Sequence, residues 1–311
     1  MIFGMDAGLL TIGIKYSFAI VLPIVTFFFM AFGLMEDSGY LPRLAMMTDR
    51  IFKKIGLNGK AALPMVLGLG CATMATLTTR ILDTRKERTI AILLLALAVP
   101  CSAQLGVIAN VLASVSGMAF MLYVLMIVAH LLVVGYLASK VLPGEHSDFL
   151  LEIPPFRAPM VSNVALKTLY RVHWFIREAV PLFLLGTFML FVLTKLGLLE
   201  ILQKLASPVV AGILGLPAAA TAGFLLGFLR RDYGVITIFQ SLKQSGHGVA
   251  DPGQLLVALV VITLFVPCIA NFFVMIKEQG LKRAMLMVAF IVPVAVFAGA
   301  MMRVILMVVP I

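Results

Sequence analysis

Charge is what this sequence has least of: 12% of its 311 residues are Asp, Glu, Lys or Arg, against 62% hydrophobic residues. No stretch has the composition of a water-soluble module, so the whole chain is expected in or against a membrane. It holds three cysteines, an odd number and all within apolar segments, which excludes a disulfide framework. None of its four histidines has metal-ligand spacing. The opening run MIFGMDAGLLTIGIKYSF lacks the basic n-region and small-residue cleavage site of a secretory signal, so it is expected to begin the first span. No G-x-x-x-x-G-K-[ST] occurs. The nearest run, KIGLNGKA, lacks the first glycine and the hydroxyl, so GTP hydrolysis by these residues is not expected, nor is any other enzyme activity. The net charge of +10 sits in short loops between apolar runs, where positive-inside bias and anionic lipid account for it; nucleic acid is excluded as a partner.

What is present is a succession of apolar runs of about 20 residues, the length that crosses a bilayer as helix. The expected class is an all-α, multi-pass integral membrane protein whose first partner is the lipid bilayer. The chain is organised around Leu63 to Gln104, where LPMVLGLGCATMATLTTR is followed by a basic loop and TIAILLLALAVPCSAQ. A second copy is legible. VPCSAQ (99 to 104) recurs as VPCIAN (266 to 271), and GLNGKAALPMVLGLG (56 to 70) lines up with GLPAAATAGFLLGFL (215 to 229), which sets Arg230 opposite Cys71. Cysteine and proline in step indicate one structural unit used twice.

Taken in order, residues 8 to 35 are expected to cross, and 41 to 55 to form an amphipathic helix on the membrane surface. Residues 61 to 79 suit either a short span or a re-entrant hairpin; basic residues on both flanks favour the hairpin. Residues 89 to 113 cross with a break at Pro100, 117 to 142 cross back, and 143 to 172 form a polar linker. The second copy follows, with a crossing at 176 to 196, a surface helix at 198 to 207, a hairpin at 209 to 229, an extra polar loop at 241 to 253, a broken span at 254 to 276 and a last span at 284 to 309. Six crossings plus two hairpins, rather than eight full spans, make the repeats inverted. On that plan 17 of the Lys and Arg residues fall inside and 7 outside, Arg230 and Arg231 among the outer ones.

Proline within a helix frees the carbonyl four residues back, so Pro100 exposes that of Ala96 and Pro267 that of Thr263. Cys101 and Gln104 share a helical face, as do Cys268 and Asn271. Each break then gathers a carbonyl, a thiol and an amide oxygen. No positive charge is expected there for a hard anion, whereas a borderline-soft divalent cation finds sulfur and oxygen donors. The same residues also suit plain packing, because cysteine fills space like a small apolar residue and an amide can bond a neighbouring helix. Cys71, in the first hairpin, has no copy. Glu36 and Asp37 close the first span, and Asp232 follows the second hairpin at what is expected to be an equivalent place; boundary carboxylates are candidates for gating or for simple charge pairing.

At these residues the chain resembles the membrane domain of the ferrous iron transport protein B family. MEDSGYLPRLAMMTDRIFKKIGLNGKAALPMVLGLGC is similar to its Glu-x-x-Gly-Tyr-x-x-Arg segment and Gly-Cys position, and VPCSAQ and FVPCIANFFVMIKEQGLK to its two later cysteine segments. After Cys71 that family usually has Asn-x-Pro-Ala, where this chain has Ala72-Thr73-Met74-Ala75, and after Cys101 it usually has Ser-Ala-Arg-x-Pro, where this chain has Ser-Ala-Gln-x-Gly. The resemblance implies two gate-type (nucleoside-recognition) repeats, 1 to 142 and 173 to 311, around the linker 143 to 172. It implies Fe(II) uptake across a bacterial or archaeal cytoplasmic membrane, with no permanently bound cofactor. Cys101 and Cys268 are the first candidate ligands of the passing ion, and Cys71, Gln104 and Asn271 the second. A separate GTP-binding protein and a homo-oligomer are the partners it suggests. Two other functions stay open: a carrier of a nucleoside-like solute, and a non-transporting membrane subunit.

Overall fold

The structure is a computed structural model that describes residues 22–113, 117–144, 158–245, 251–265 and 267–308. The start of the first expected span, most of the first half of the linker, residues 246–250 of the polar loop and Val266 lie outside the described residues. Every described α or shorter element is helical, with no strand among them.

The chain opens with α1 (Leu22–Asp37) and α2 (Tyr40–Lys54), which turn from each other by 83°. Gly39, at φ 79°, makes the corner in the left-handed region that side chains avoid. α2 is amphipathic as expected, with Leu41 and Ala45 buried and Lys53 and Lys54 closing its last turn. Ile51, also apolar, is exposed. Two short helices follow, α3 (Ala62–Gly70) and α4 (Ala72–Thr78), packed on each other. At nine and seven residues they reach only about 10 to 14 Å each, far short of a hydrocarbon core of about 30 Å. They occupy the segment expected as a hairpin at 61 to 79, hereafter the first hairpin.

α5 (Arg85–Leu97) and α6 (Ser102–Ala113) are the two halves of the span broken at Pro100. α7 (Gly117–Val141) runs back. α8 (Val161–Lys195) is longer than the crossing expected at 176 to 196, because residues 161 to 172 of the expected linker already belong to it. α9 (Leu198–Pro208) continues through a π-helical turn, Val209–Ile213. The second hairpin is α10 (Ala220–Leu229) with α11 (Arg231–Ser245), displaced from the expected 209 to 229; residues 241 to 245, expected in a polar loop, are its last helical turn. α12 (Pro252–Leu264) begins on the Asp251 side chain, which accepts from the Gly253 amide at 3.2 Å. α12 ends at Leu264, α13 (Ile269–Gln279) starts after Cys268, and α14 (Leu281–Val308) is the last described element.

Four segments among the described residues are long and apolar enough to cross a membrane: 85–112, 117–141, 252–279 and 281–307, with the bent pair α1 and α2 as a fifth at most. α12 is buried on every side from Leu255 to Leu264, and α5 from Ile90 to Leu97 apart from slight exposure at Leu93, so the two helices that end in breaks are central helices. α7 instead exposes Met118, Met121, Leu125, Val128 and Leu132 along one helical stripe. An apolar stripe of that extent belongs against lipid. The protein is an all-α, multi-pass membrane protein.

Contacts divide the chain into two compact units, residues 1–95 with 133–188 and residues 96–132 with 189–311. They interleave along the sequence. The internal repeat is nonetheless carried by the backbone: Gly39 and Gly197 begin the surface helices at φ 79° and 69°, and Gly56 and Gly215 follow them at 77° and 69°. Cys71 and Arg230 interrupt the two hairpins in the same extended conformation, φ −147°, ψ 112° and φ −144°, ψ 115°.

Candidate functional site

All four members of the two Pro-Cys units lie in the second compact unit. Pro100 supplies no N–H, and α5 stops at Leu97 with the Ala96 carbonyl released, as proline chemistry requires. Cys101 and Cys268 then stand in matching positions, their carbonyls accepting the first backbone bonds of α6 from Leu105 and of α13 from Phe272, both at 2.9 Å. No disulfide joins any cysteine, and all three are half-buried. Gln104 and Asn271, one turn further in, are fully buried.

The polar layer around Gln104 closes on a residue the sequence had marked only by its carbonyl. Thr263, the penultimate residue of α12, donates its hydroxyl proton to Leu259 O at 2.7 Å. Its oxygen is then an acceptor, taking the Gln104 Nε2–H at 3.2 Å and the Tyr123 O–H at 3.0 Å. The Oε1 atom of Gln104 is buried with no hydrogen-bond partner among the described residues. An oxygen left so costs about 1–3 kcal/mol in an apolar interior.

The Ala96 carbonyl is not open. Arg231, the first residue of α11, is 4% exposed and donates through Nη2 to Ala96 O and through Nη1, at 3.2 Å, to Val99 O. This corrects two expectations. The first break does carry a positive charge, and Arg231 is not a loop charge on the outer face but a buried group at a hairpin break. Arg230 and Asp232 pair at 2.5 Å and 3.2 Å beside it. Asp232 therefore lies in the hairpin's second arm rather than at a place equivalent to Glu36 and Asp37.

The remaining candidates lie in the first unit. Cys71 is the single extended residue between α3 and α4; its N–H bonds Leu67 O and its carbonyl accepts from Ala75 N, at 2.9 and 3.0 Å. Glu36 and Asp37 meet α8: Arg171 bonds Glu36 at 2.5 Å, Lys167 lies 3.5 and 3.3 Å from the two carboxylates, and the Met160 N–H donates to Asp37 at 3.0 Å. That backbone N–H foremost, then Lys167, lowers the Asp37 carboxyl from its ordinary value against an opposing desolvation. Among the described residues no three His, Cys, Asp or Glu side chains converge on one point. Any cation in the second unit would thus rely on thiols, amide oxygens and carbonyls.

The profile of the Gate family, described as nucleoside recognition, matches residues 18–115 and 176–282, about two thirds of the chain with one hairpin in each match. The chain belongs to the Gate family. Between the two Gate segments, residues 119–171 match the C terminus of ferrous iron transport protein B. Curated relatives bear the name Fe(2+) transporter FeoB. The one from Methanocaldococcus jannaschii is 28% identical over 317 residues, covering 91% of this chain and 47% of the relative. The one from Synechocystis is 28% identical over 263 residues, covering 76% and 42%. The one from Staphylococcus aureus strain COL is 34% identical over 184 residues, covering 56% and 26%. This Gate chain therefore spans about half or less of the relatives it matches. No solved structure matches it.

Arg231, Thr263 and Tyr123 escaped the sequence. A signal existed for the first, since Arg-Arg-Asp interrupts the apolar run GFLLGFL…YGVITIF opposite Cys71. Thr263 was marked only through its carbonyl, four residues before Pro267, and Tyr123 gave no signal, a single polar atom inside an apolar helix.

Proposed function

We propose that the protein carries Fe(II) inward across the cytoplasmic membrane of a bacterium or archaeon, with the two Pro-Cys breaks as the ion path. The observation that carries this is the buried, unpartnered Gln104 oxygen one turn from a half-buried thiol at a helix break. A divalent cation would satisfy that oxygen and take sulfur beside it, and the relatives' name supplies the ion. Cys101 and Cys268 serve as transient ligands, with Gln104, Asn271 and Cys71 in support. Iron is cargo, and no cofactor is held permanently. Inverted Gate repeats would give alternating access, and GTP hydrolysis, where it is needed, would come from residues other than these. Basic inner loops are the natural dock for a GTP-binding partner.

The test is Fe(II) uptake by the protein reconstituted in liposomes, with Mn(II) and uridine as competitors. Cys101→Ser and Cys268→Ser should each lower the initial rate about tenfold or more, the scale on which metal-site partners act. Uptake should fall as pH drops, because a thiolate ligand must release its proton. A double cysteine variant with the parental rate would overturn the thiol path. Inhibition by uridine but not Mn(II) would instead support the nucleoside-like carrier.

A further inference from the structure

Arg231 has no structural need for its charge. Among the described residues its only polar partners are the backbone oxygens of Ala96 and Val99, and its Nε is buried with none. The nearest carboxylate in sequence, Asp232, is held in a fork by Arg230. A buried guanidinium lacking a counter-anion is costly, and a neutral amide donor could cap a released carbonyl with less desolvation. What the charge does offer is equivalence to a metal ion. The two oxygens it holds are hard donors of the kind a divalent cation takes, and they belong to the same break as Cys101 and the unpartnered Gln104 oxygen. α11 packs on α6, which carries Gln104, and Tyr123 lies within electrostatic reach of both Arg231 and Cys101.

We propose that Arg231 is a tethered resident cation, holding the Ala96 and Val99 carbonyls while no ion is in transit and yielding them to a divalent cation that displaces it. This rests on the transport function proposed above and adds a seal to it. A monovalent ion, with half the charge, gains too little from two carbonyls to evict a guanidinium that donates two hydrogen bonds. The path is then closed to potassium while the guanidinium keeps the two carbonyls, and a doubly charged ion opens it by taking them.

The experiment compares the parent protein, Arg231→Ala and Arg231→Lys in liposomes, reading Fe(II) uptake, passive K⁺ leak and the effect of millimolar guanidinium. Arg231→Ala should elute as the parent does, half-saturate at about tenfold lower Fe(II) because its competitor is gone, and leak K⁺. Guanidinium should suppress both gains. Arg231→Lys should keep the leak low and half-saturate within a few-fold of the parent. The proposal is overturned if folded Arg231→Ala shows neither gain, or if guanidinium restores lost uptake instead of blocking gained uptake, since that marks a capping role alone. Loss of both variants from the detergent extract also overturns it. The K⁺ arm stays readable if the parent vesicles take up no Fe(II), so the seal and the transport function fail separately.

Discussion

The two hairpins share a backbone and differ in what they carry at its break. In each, one extended residue separates two helices, and its N–H and carbonyl make the same bonds, to Leu67 and Ala75 in the first copy and to Leu226 and Gly234 in the second. The first copy places a cysteine there, and its unit pairs Glu36 and Asp37, at the end of α1, with α8. The second places arginine there, follows it with a buried arginine, and belongs to the unit holding the buried Tyr123, Thr263 and Gln104 layer. The fold sets the geometry of the break, and the side chains are free to differ. Both units bury polar groups, Asn58 on Glu87 in the first and Gln104 on Thr263 in the second; what the second adds is a buried guanidinium on two backbone carbonyls at a helix break.

The comparison is broken most directly at the glycines. A Cβ on Gly234 would lie 2.6 Å from Gly227 Cα and 2.7 Å from Gly223 O, backbone atoms that cannot step aside. Gly234→Val should cost about 3 kcal/mol and abolish a monodisperse elution profile. A Cβ on Gly70 would first meet the ring of Phe28, a half-buried side chain that can swing away, so Gly70→Ala should cost about 1 kcal/mol. Equal losses in thermal melts would show that the hairpins are packed alike after all.

Next in size is the polar layer. Thr263→Val removes the shared acceptor and leaves Gln104 and Tyr123 with buried donors unmet, an expected loss of about 2 kcal/mol. Glu36→Gln in the first unit, where the ion pairs are partly hydrated, should cost about 0.5 kcal/mol. Melting of the two variants in one detergent measures the difference. The smallest effect is in pH. Because the folded state holds the Asp37 carboxyl low, its contribution is complete above the ordinary aspartate value of about 3.9 and is lost as pH falls through the folded-state value. Asp37→Asn should therefore remove a part of the acid sensitivity of the melting temperature and leave it unchanged near neutrality.

Much of this was legible in the sequence because it rests on one-dimensional signals. Apolar run length gave four of the spans, those expected at 89 to 113, 117 to 142, 254 to 276 and 284 to 309, and Pro100 and Pro267 gave the breaks with the Ala96 carbonyl released. The match of Cys71 to Arg230 proved to be a match of backbone conformation. What sequence could not place was anything decided by a partner distant in the chain. Arg231 reads as a loop charge until α11 is seen to end at residues 96 and 99, and the polar stretch to Ser245 reads as a loop until Gly223, Gly227 and Gly234 are seen to zip it onto α10. Residues 161 to 172, polar enough for a linker, are helical because their cationic face meets Glu36 and Asp37.

The interleaving of the two units has a consequence for biogenesis. The second unit takes residues 96–132 and then nothing until 189, so α6 and its Pro100 break enter the bilayer long before α11 has been synthesised. During that interval the Ala96 and Val99 oxygens have no guanidinium, and when Arg231 does emerge it arrives as a charge that the lipid will not accept alone. The nascent chain thus holds an unfilled acceptor early and an unfilled donor late, and each is the remedy for the other. The acceptor pair and the cation that fills it are thus separated by more than a hundred residues of synthesis.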